Sequence, residues 1–241
     1  MSDFVRLNMK KRMVAALSAV CRLCGCTGEG EYKTKIKKEE QESEYSSVYA
    51  EVIEFSGFEN SEYLSELNMS IMKEVEDSIS EFDSLSLESV SSLPAGVKTA
   101  LHITQHMKRN KGGIISFIEE HYTYLGGAHG NTVWVARNID VRSPSPHNLE
   151  LSELFVDESY IETINNLIDK LVEENPEKYS ELWAQPHIGS EDRYRYYLTD
   201  EDLVIFFSPY ELSYYAKGFI EFPIRMTELN GILKEEYRTE N

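Results

Sequence analysis

The apolar residues of this 241-residue chain recur at two different periods, and the changes between them mark out its elements. Within residues 45–55, Val48, Ala50 and Val52 alternate with Tyr49, Ile53 and Phe55, which suggests a strand, and Gly57 closes it. From Ser61 the spacing lengthens. Leu64, Leu67, Ile71, Val75, Ile79 and Phe82 follow at steps of three and four, predicting an amphipathic helix. Glu66, Lys73, Glu74, Asp77 and Glu81 fall opposite and read as a solvated face. Serine-rich residues 84–92 and the run Pro94-Ala95-Gly96 then predict a loop and a small-domain boundary.

Beyond Val97 the pattern turns β-rich. Residues 97–108, 114–124 and 133–141 read as three strands, with Gly112-Gly113 turning the first pair and Gly126-Gly127-Ala128-His129-Gly130 joining the second. A three-stranded antiparallel meander is the simplest arrangement, broken at Ser143-Pro144-Ser145-Pro146. A second helix begins at Ser159, with Glu162 three residues on as a capping box. Tyr160, Ile164, Leu167, Ile168, Leu171 and Val172 give it a buried stripe, and Pro176 follows its end. Residues 193–197, 203–207 and 219–224 read as further strands. Leu203-Val204-Ile205-Phe206-Phe207 is apolar on both faces, which places it centrally in its sheet. The expected class is α+β: a largely antiparallel sheet with packed helices and a small N-terminal strand-helix subdomain.

The first residues change the picture of where this body resides. Met9-Lys10-Lys11-Arg12 is a basic segment, and the apolar run of residues 13–20 is far shorter than the roughly 20 residues that span a bilayer. Leu23-Cys24-Gly25-Cys26 resembles the lipobox of bacterial lipoproteins, which implies lipidation of Cys26. All three cysteines lie within residues 21–26, and Cys21-x-x-Cys24 has no second pair to complete a zinc or redox site. Residues 27–44 are polar and mixed in charge, and read as a flexible tether. The expected plan is a signal peptide over 1–26, a tether over 27–44, a small domain over 45–95 and a larger one over 96–237. Such a protein meets the membrane through its lipid anchor only.

Charge sharpens the choice of partner. Lys and Arg total 24 against 42 Asp and Glu, a net of −18. Removing residues 1–26, with five basic residues and one acid, leaves 19 against 41 and a net of −22. That surface repels phosphate backbones and argues against nucleic acid, while it steers a cationic partner inward.

Candidate chemistry is sparse. The glycine corner lacks the Lys-Ser/Thr of a phosphate loop and the spacing of a dinucleotide fingerprint, so no cofactor is expected. His102 and His106 are two steps apart on one strand face with no carboxylate set, so no metal is expected either. Glu119, Glu120, His121 and His129 form the densest ionisable cluster. A hairpin that brought His121 and His129 to Glu120 would make a general acid-base set for an envelope hydrolase. A histidine bonded to its own glycine turn accounts for His129 without catalysis, and is the preferred reading. Tyrosines at 194, 196, 197, 210, 214 and 215 flank the central strand and suit either recognition or core edges.

Tyr122-Thr123-Tyr124-Leu125-Gly126-Gly127-Ala128-His129-Gly130 resembles a segment of the bacterial extracytoplasmic domain that forms the C-terminal part of RsiV-type anti-sigma factors. Leu154-Phe155, residues 207–218 with Pro209-Tyr210-Glu211, and residues 219–223 are similar to the same family in the same order. Residues 45–82 resemble the small domain that precedes it, also found ahead of a peptidoglycan deacetylase catalytic domain. The resemblance implies an extracytoplasmic sensing or binding module for a protein such as lysozyme or for a cell-wall component. Neither the sigma-binding segment nor the deacetylase catalytic domain is recognisable in the sequence. The expected binding loops are Tyr124, Gly126, Gly127, His129 and Gly130, with Tyr210, Glu211, Tyr214 and Tyr215.

Overall fold

A computed structural model describes residues 32–57, 61–143 and 147–239. The expected signal peptide and Cys26 lie outside these residues. The fold is α+β. One five-stranded sheet has the order β1 (Lys33–Glu42), β2 (Ser46–Ser56), β3 (Thr99–Lys111), β4 (Ile114–Tyr124), β5 (Asn131–Asp140), and a three-stranded sheet has β6 (Tyr196–Leu198), β7 (Asp202–Phe207), β8 (Ile220–Arg225). Helix α1 (Ser61–Ser89) lies between β2 and β3 in sequence, α2 (Tyr160–Glu174) precedes β6, and the short α3 (Met226–Leu229) follows β8. The chain divides into two compact units, one holding residues up to Gln105 with Glu119–Val133, the other His106–Ile118 with Trp134–Asn241. Strands β3, β4 and β5 pass through both.

In the first unit, β2 pairs antiparallel with β1 and parallel with β3, the parallel pair being connected through α1. Helix α1 buries Ile71, Val75, Ile79 and Phe82, and the same unit buries Val48, Ala50, Val52, Leu101 and Ile103. Two expectations are corrected here. Residues 33–42, read as part of a tether from their polarity, form β1. Their lysines face acidic residues of β2, so that Lys38 meets Glu51 at 2.5 Å and Lys37 meets Glu54 at 3.8 Å across the ladder. A polar sequence makes a strand here because an apolar neighbour supplies the hydrogen-bond template, and charge on an edge strand discourages pairing with other chains. The serine-rich residues read as a loop continue α1 to Ser89. Ser78, Ser84 and Ser89 donate to the carbonyls four residues back, and Ser86, 4% exposed, extends the buried stripe by meeting Thr99 at 2.6 Å.

The second unit packs α2, α3 and one face of the three-stranded sheet around Ile164, Ile168, Tyr196, Leu203, Ile205, Phe222, Ile224 and Leu229. β7 is central, as its two-sided apolarity predicts. The first of its strands begins at Tyr196 rather than 193, because residues 193–195 lie in a turn held by Asp192 and Arg195. The expected capping box at Ser159 is not made. Ser159 has helical φ and ψ, and its own N–H is taken by Asp157 at 2.9 Å. The reciprocal box occurs instead between Glu150 and Glu153, at the 3₁₀ turn Leu151–Leu154. A buried polar chain joins strands of the two sheets within this unit. Ser116 donates to Asn138 Oδ1 at 2.8 Å, Asn138 donates to the Tyr196 carbonyl at 2.9 Å, and the Leu198 N–H donates to Ser116 Oγ at 2.9 Å.

Candidate functional site

The glycine corner belongs to the first unit, and the loop Ser208–Lys217 to the second. In the corner, Gly126 and Gly127 have φ of 114° and 96°, a backbone that L side chains rarely adopt. Gly130 is required for a different reason: a Cβ there would come within 2.4 Å of the Tyr122 ring. Tyr124 donates its hydroxyl to the Gly127 carbonyl at 3.1 Å, and His129 Nδ1 lies 2.7 Å from the Gly130 carbonyl. The shaped turn read from the sequence is present, with His129 exposed upon it.

His121 Nε2 lies 2.6 Å from Oε1 of Glu119, a carboxylate 3% exposed. Strand alternation puts Glu119 and His121 on one face of β4 and Glu120 on the other, so the carboxylate that His121 meets is Glu119. The second oxygen of Glu119 accepts from Gln105 Nε2 at 2.5 Å, and Gln105 Oε1 accepts the Ile53 N–H at 2.7 Å. The parallel ladder of β2 and β3 ends at Glu51 and Thr104. Gln105 thus takes up a backbone donor freed where the strands part, and the Glu119 carboxylate fixes Gln105. This chain explains Glu119 and His121 as groups that hold the sheet together.

In the second unit, the loop Ser208–Lys217 and the segment around Glu181 make one tied surface. The Trp183 N–H donates to the Leu212 carbonyl at 3.0 Å, and the Trp183 indole N–H to the Glu211 carbonyl at 3.2 Å. Ser213 donates to the Glu181 carbonyl at 3.0 Å, and the Tyr214 hydroxyl to the Glu181 carboxylate at 2.8 Å. Glu211 reaches back to Arg195 at 2.6 Å and accepts the Ser208 N–H. Burial alone would raise the Glu211 carboxyl; the Arg195 guanidinium and the Ser208 N–H outweigh it and hold the group below its usual range. Glu181 is also lowered, by the Tyr214 hydroxyl first and then by Lys217.

These ties hold large rings in solvent. Trp183 is 59% exposed and Tyr210 57%, with Tyr214 also exposed and Tyr215 5.4 Å from Tyr210, ring to ring. Glu181 and Tyr210, with φ of 69° and 70°, are the only non-glycine residues at positive φ among those described. Uncommon backbone conformations gather where the surrounding bonds over-determine them, and binding surfaces are a frequent setting. Tyr210, Glu211, Tyr214 and Tyr215 lie on this one loop, with Tyr210 and Tyr215 in ring contact, while Trp183 and Glu181, which are bonded to the loop, carry no local sequence signal that links them to it. The one available signal was the rarity of tryptophan, two in the chain; no local pattern ties residue 183 to a loop some 30 positions on.

Comparison with known proteins bears on the fold and its parts. Residues 31–132 match the family model described as Deacetylase PdaC, and residues 152–227 match Protein of unknown function (DUF3298). No curated protein matches the chain. The crystal structure of a DUF3298 family member from Bacteroides fragilis is similar with a TM-score of 0.62 at 16% identity, covering 88% of this chain and 96% of that one. That of a DUF3298 family protein from Pseudomonas aeruginosa is similar with a TM-score of 0.59, also at 16% identity, covering 94% of this chain and 96% of that one. The chain thus carries, in order, a PdaC-type segment and a DUF3298-type segment, on a fold it shares with DUF3298 family proteins of two bacteria.

Proposed function

We propose that this protein is an envelope-anchored, extracytoplasmic binding or sensing module, whose partner is a cationic protein of the lysozyme type. The observation that carries the reading is the tied loop pair that holds Trp183, Tyr210 and Tyr214 in solvent with Glu181 and Glu211 among them. Large rings on a cross-bonded frame supply contact area at little ordering cost, which is the composition of binding hot spots. The net charge of −18 supplies long-range attraction for a basic partner. The leader and lipobox-like segment of the sequence support placement at the bacterial envelope, with Cys26 as the lipidated residue.

The test is calorimetric titration with lysozyme at low and high salt. Binding should weaken as salt rises, and Trp183→Ala or Tyr210→Ala should weaken it by about tenfold or more with the thermal midpoint little changed. Absence of lysozyme binding by the folded protein would remove this partner. Binding that survives both substitutions would move the interface elsewhere.

A further inference from the structure

The second unit holds a shallow groove of about 450 Å³ that combines aromatic rings with charged side chains. Trp134 and Phe206 supply apolar surface and Tyr194 an exposed ring. The indole of Trp134 lies flat on Phe219, with centroids 3.9 Å apart and planes 5° apart, and meets Phe206 edge-on at 5.6 Å. A ring gripped in this way presents a fixed surface, with no rotamer freedom left to lose on binding.

Charged groups line the same groove, the acids Glu191 and Asp192 and the bases Arg193 and Arg195. Three of the four are fixed by neighbours. Asp192 is held by Arg195 Nε at 2.6 Å and by the Gly189 N–H at 2.9 Å; Arg195 also reaches Glu211, and Arg193 reaches Glu150 at 3.1 Å. A guanidinium has five N–H donors and a carboxylate about four acceptor positions, so these bonds leave capacity for a ligand.

That combination selects a chemistry. The guanidiniums of Arg193 and Arg195 are already neutralised by Glu150, Glu211 and Asp192, so what they offer a ligand is hydrogen-bonding capacity rather than free charge. A wholly apolar ligand would cover charged groups without replacing their water. A neutral ligand with an apolar face for the rings and an array of hydroxyls for the carboxylates and planar forks satisfies this lining. Pyranose sugars have both. The volume falls within the about 300–1,000 Å³ usual for small-ligand sites. We propose that this groove is a binding site for a neutral saccharide. It shares with the function proposed above only the premise that the chain is a binding protein, since it uses a different surface and a different attraction.

The chain has two tryptophans, Trp134 and Trp183, so Trp183→Phe leaves Trp134 as sole reporter within the groove. In that background, indole emission is followed during titration with chitotetraose and, separately, maltotetraose, to millimolar concentration and at two ionic strengths. The expected result is a saturable change with at least one sugar and a Kd unaltered by salt, because the ligand is neutral. Tyr194→Ala and Arg193→Ala, both at exposed positions, should each raise that Kd by about tenfold while the thermal midpoint holds. Silence with both sugars overturns the proposal, as does a response that neither substitution alters. Lysozyme binding by the unmodified protein is scored separately and by its salt dependence, so either proposal can fail without the other.

Discussion

At the residue scale, the positions that matter most are small or polar groups whose partners lie far away in sequence. Gly130 is needed because the Tyr122 ring occupies the space of a Cβ, and Gly126 because of both its φ and the Leu93 side chain 2.6 Å from where its Cβ would be. Asn138 shows the same dependence in the core. Its side chain is fully buried and serves Ser116 and the Tyr196 carbonyl together. Asn138→Ala should cost about 2–3 kcal/mol, because it strands a buried carbonyl and a buried hydroxyl at once. Chemical denaturation is the direct measure, and a loss below about 1 kcal/mol would show that the network relaxes onto other partners. The sequence marks Asn138 only as a polar residue in a β-prone run. Its role depends on β6, some 58 residues on, which no local pattern announces.

Among elements, periodicity was most informative where one face is apolar and least where pairing is polar. The stripes of α1 and α2, the run Ile114–Tyr124 and the central β7 all appear where the hydrophobic spacing puts them. β1 did not, because a strand of lysines followed by glutamates, with Ile36 its one apolar residue, has almost no apolar signal and is specified by the partner it pairs with. The serines that end the apolar stripe of α1 likewise hide its last turns, since their hydroxyls are absorbed by the helix's own carbonyls. A chain truncated to begin at Tyr45 removes β1 and leaves one edge of β2 unpaired. Its first unit should lose thermal stability and become protease-sensitive within β2 and α1. An unchanged cleavage pattern would mean that β1 contributes little, and that the paired charges at Lys38 and Glu51 are only a surface feature.

For the whole molecule, acidity governs the response to pH. Asp140 lies below its usual value of 3.8 although burial opposes this, because Arg142 bonds it through both Nε and Nη2. Glu153 and Glu211 lie below 4.5 in spite of burial, Glu153 through the Glu150 N–H and His147, Glu211 through Arg195 and the Ser208 N–H. In each case the folded state binds its proton less readily than the unfolded chain. The stability they contribute is therefore present above about pH 4.5 and is lost as pH falls through their folded values. On the alkaline side, burial and then Asp140 push Tyr237 up to about 12, so its contribution fades as pH rises from 10 towards that value. Thermal melts across pH should show a plateau bounded by these two declines. A midpoint that rises below pH 4 would show instead that relief of the −18 self-repulsion outweighs the lost carboxylate bonds.

The sequence by itself determined the class of the fold, the two amphipathic helices, most strands, the glycine turn and the acidic field, because each follows from local spacing or from a sum over the chain. It also held, in the two motif segments, the resemblance that the family models and the neighbouring folds share in part. What it could not decide was which side chains meet. Glu119 rather than Glu120 bonds His121 because a pleated strand sends neighbours to opposite faces. Trp183 bonds the carbonyls of Glu211 and Leu212, and Trp134 shares a groove with Arg193 and Arg195, because loop closure brings together residues that local energetics leave independent. The candidate surfaces of this protein are made of such long-range meetings, and only the tertiary structure brings their residues together.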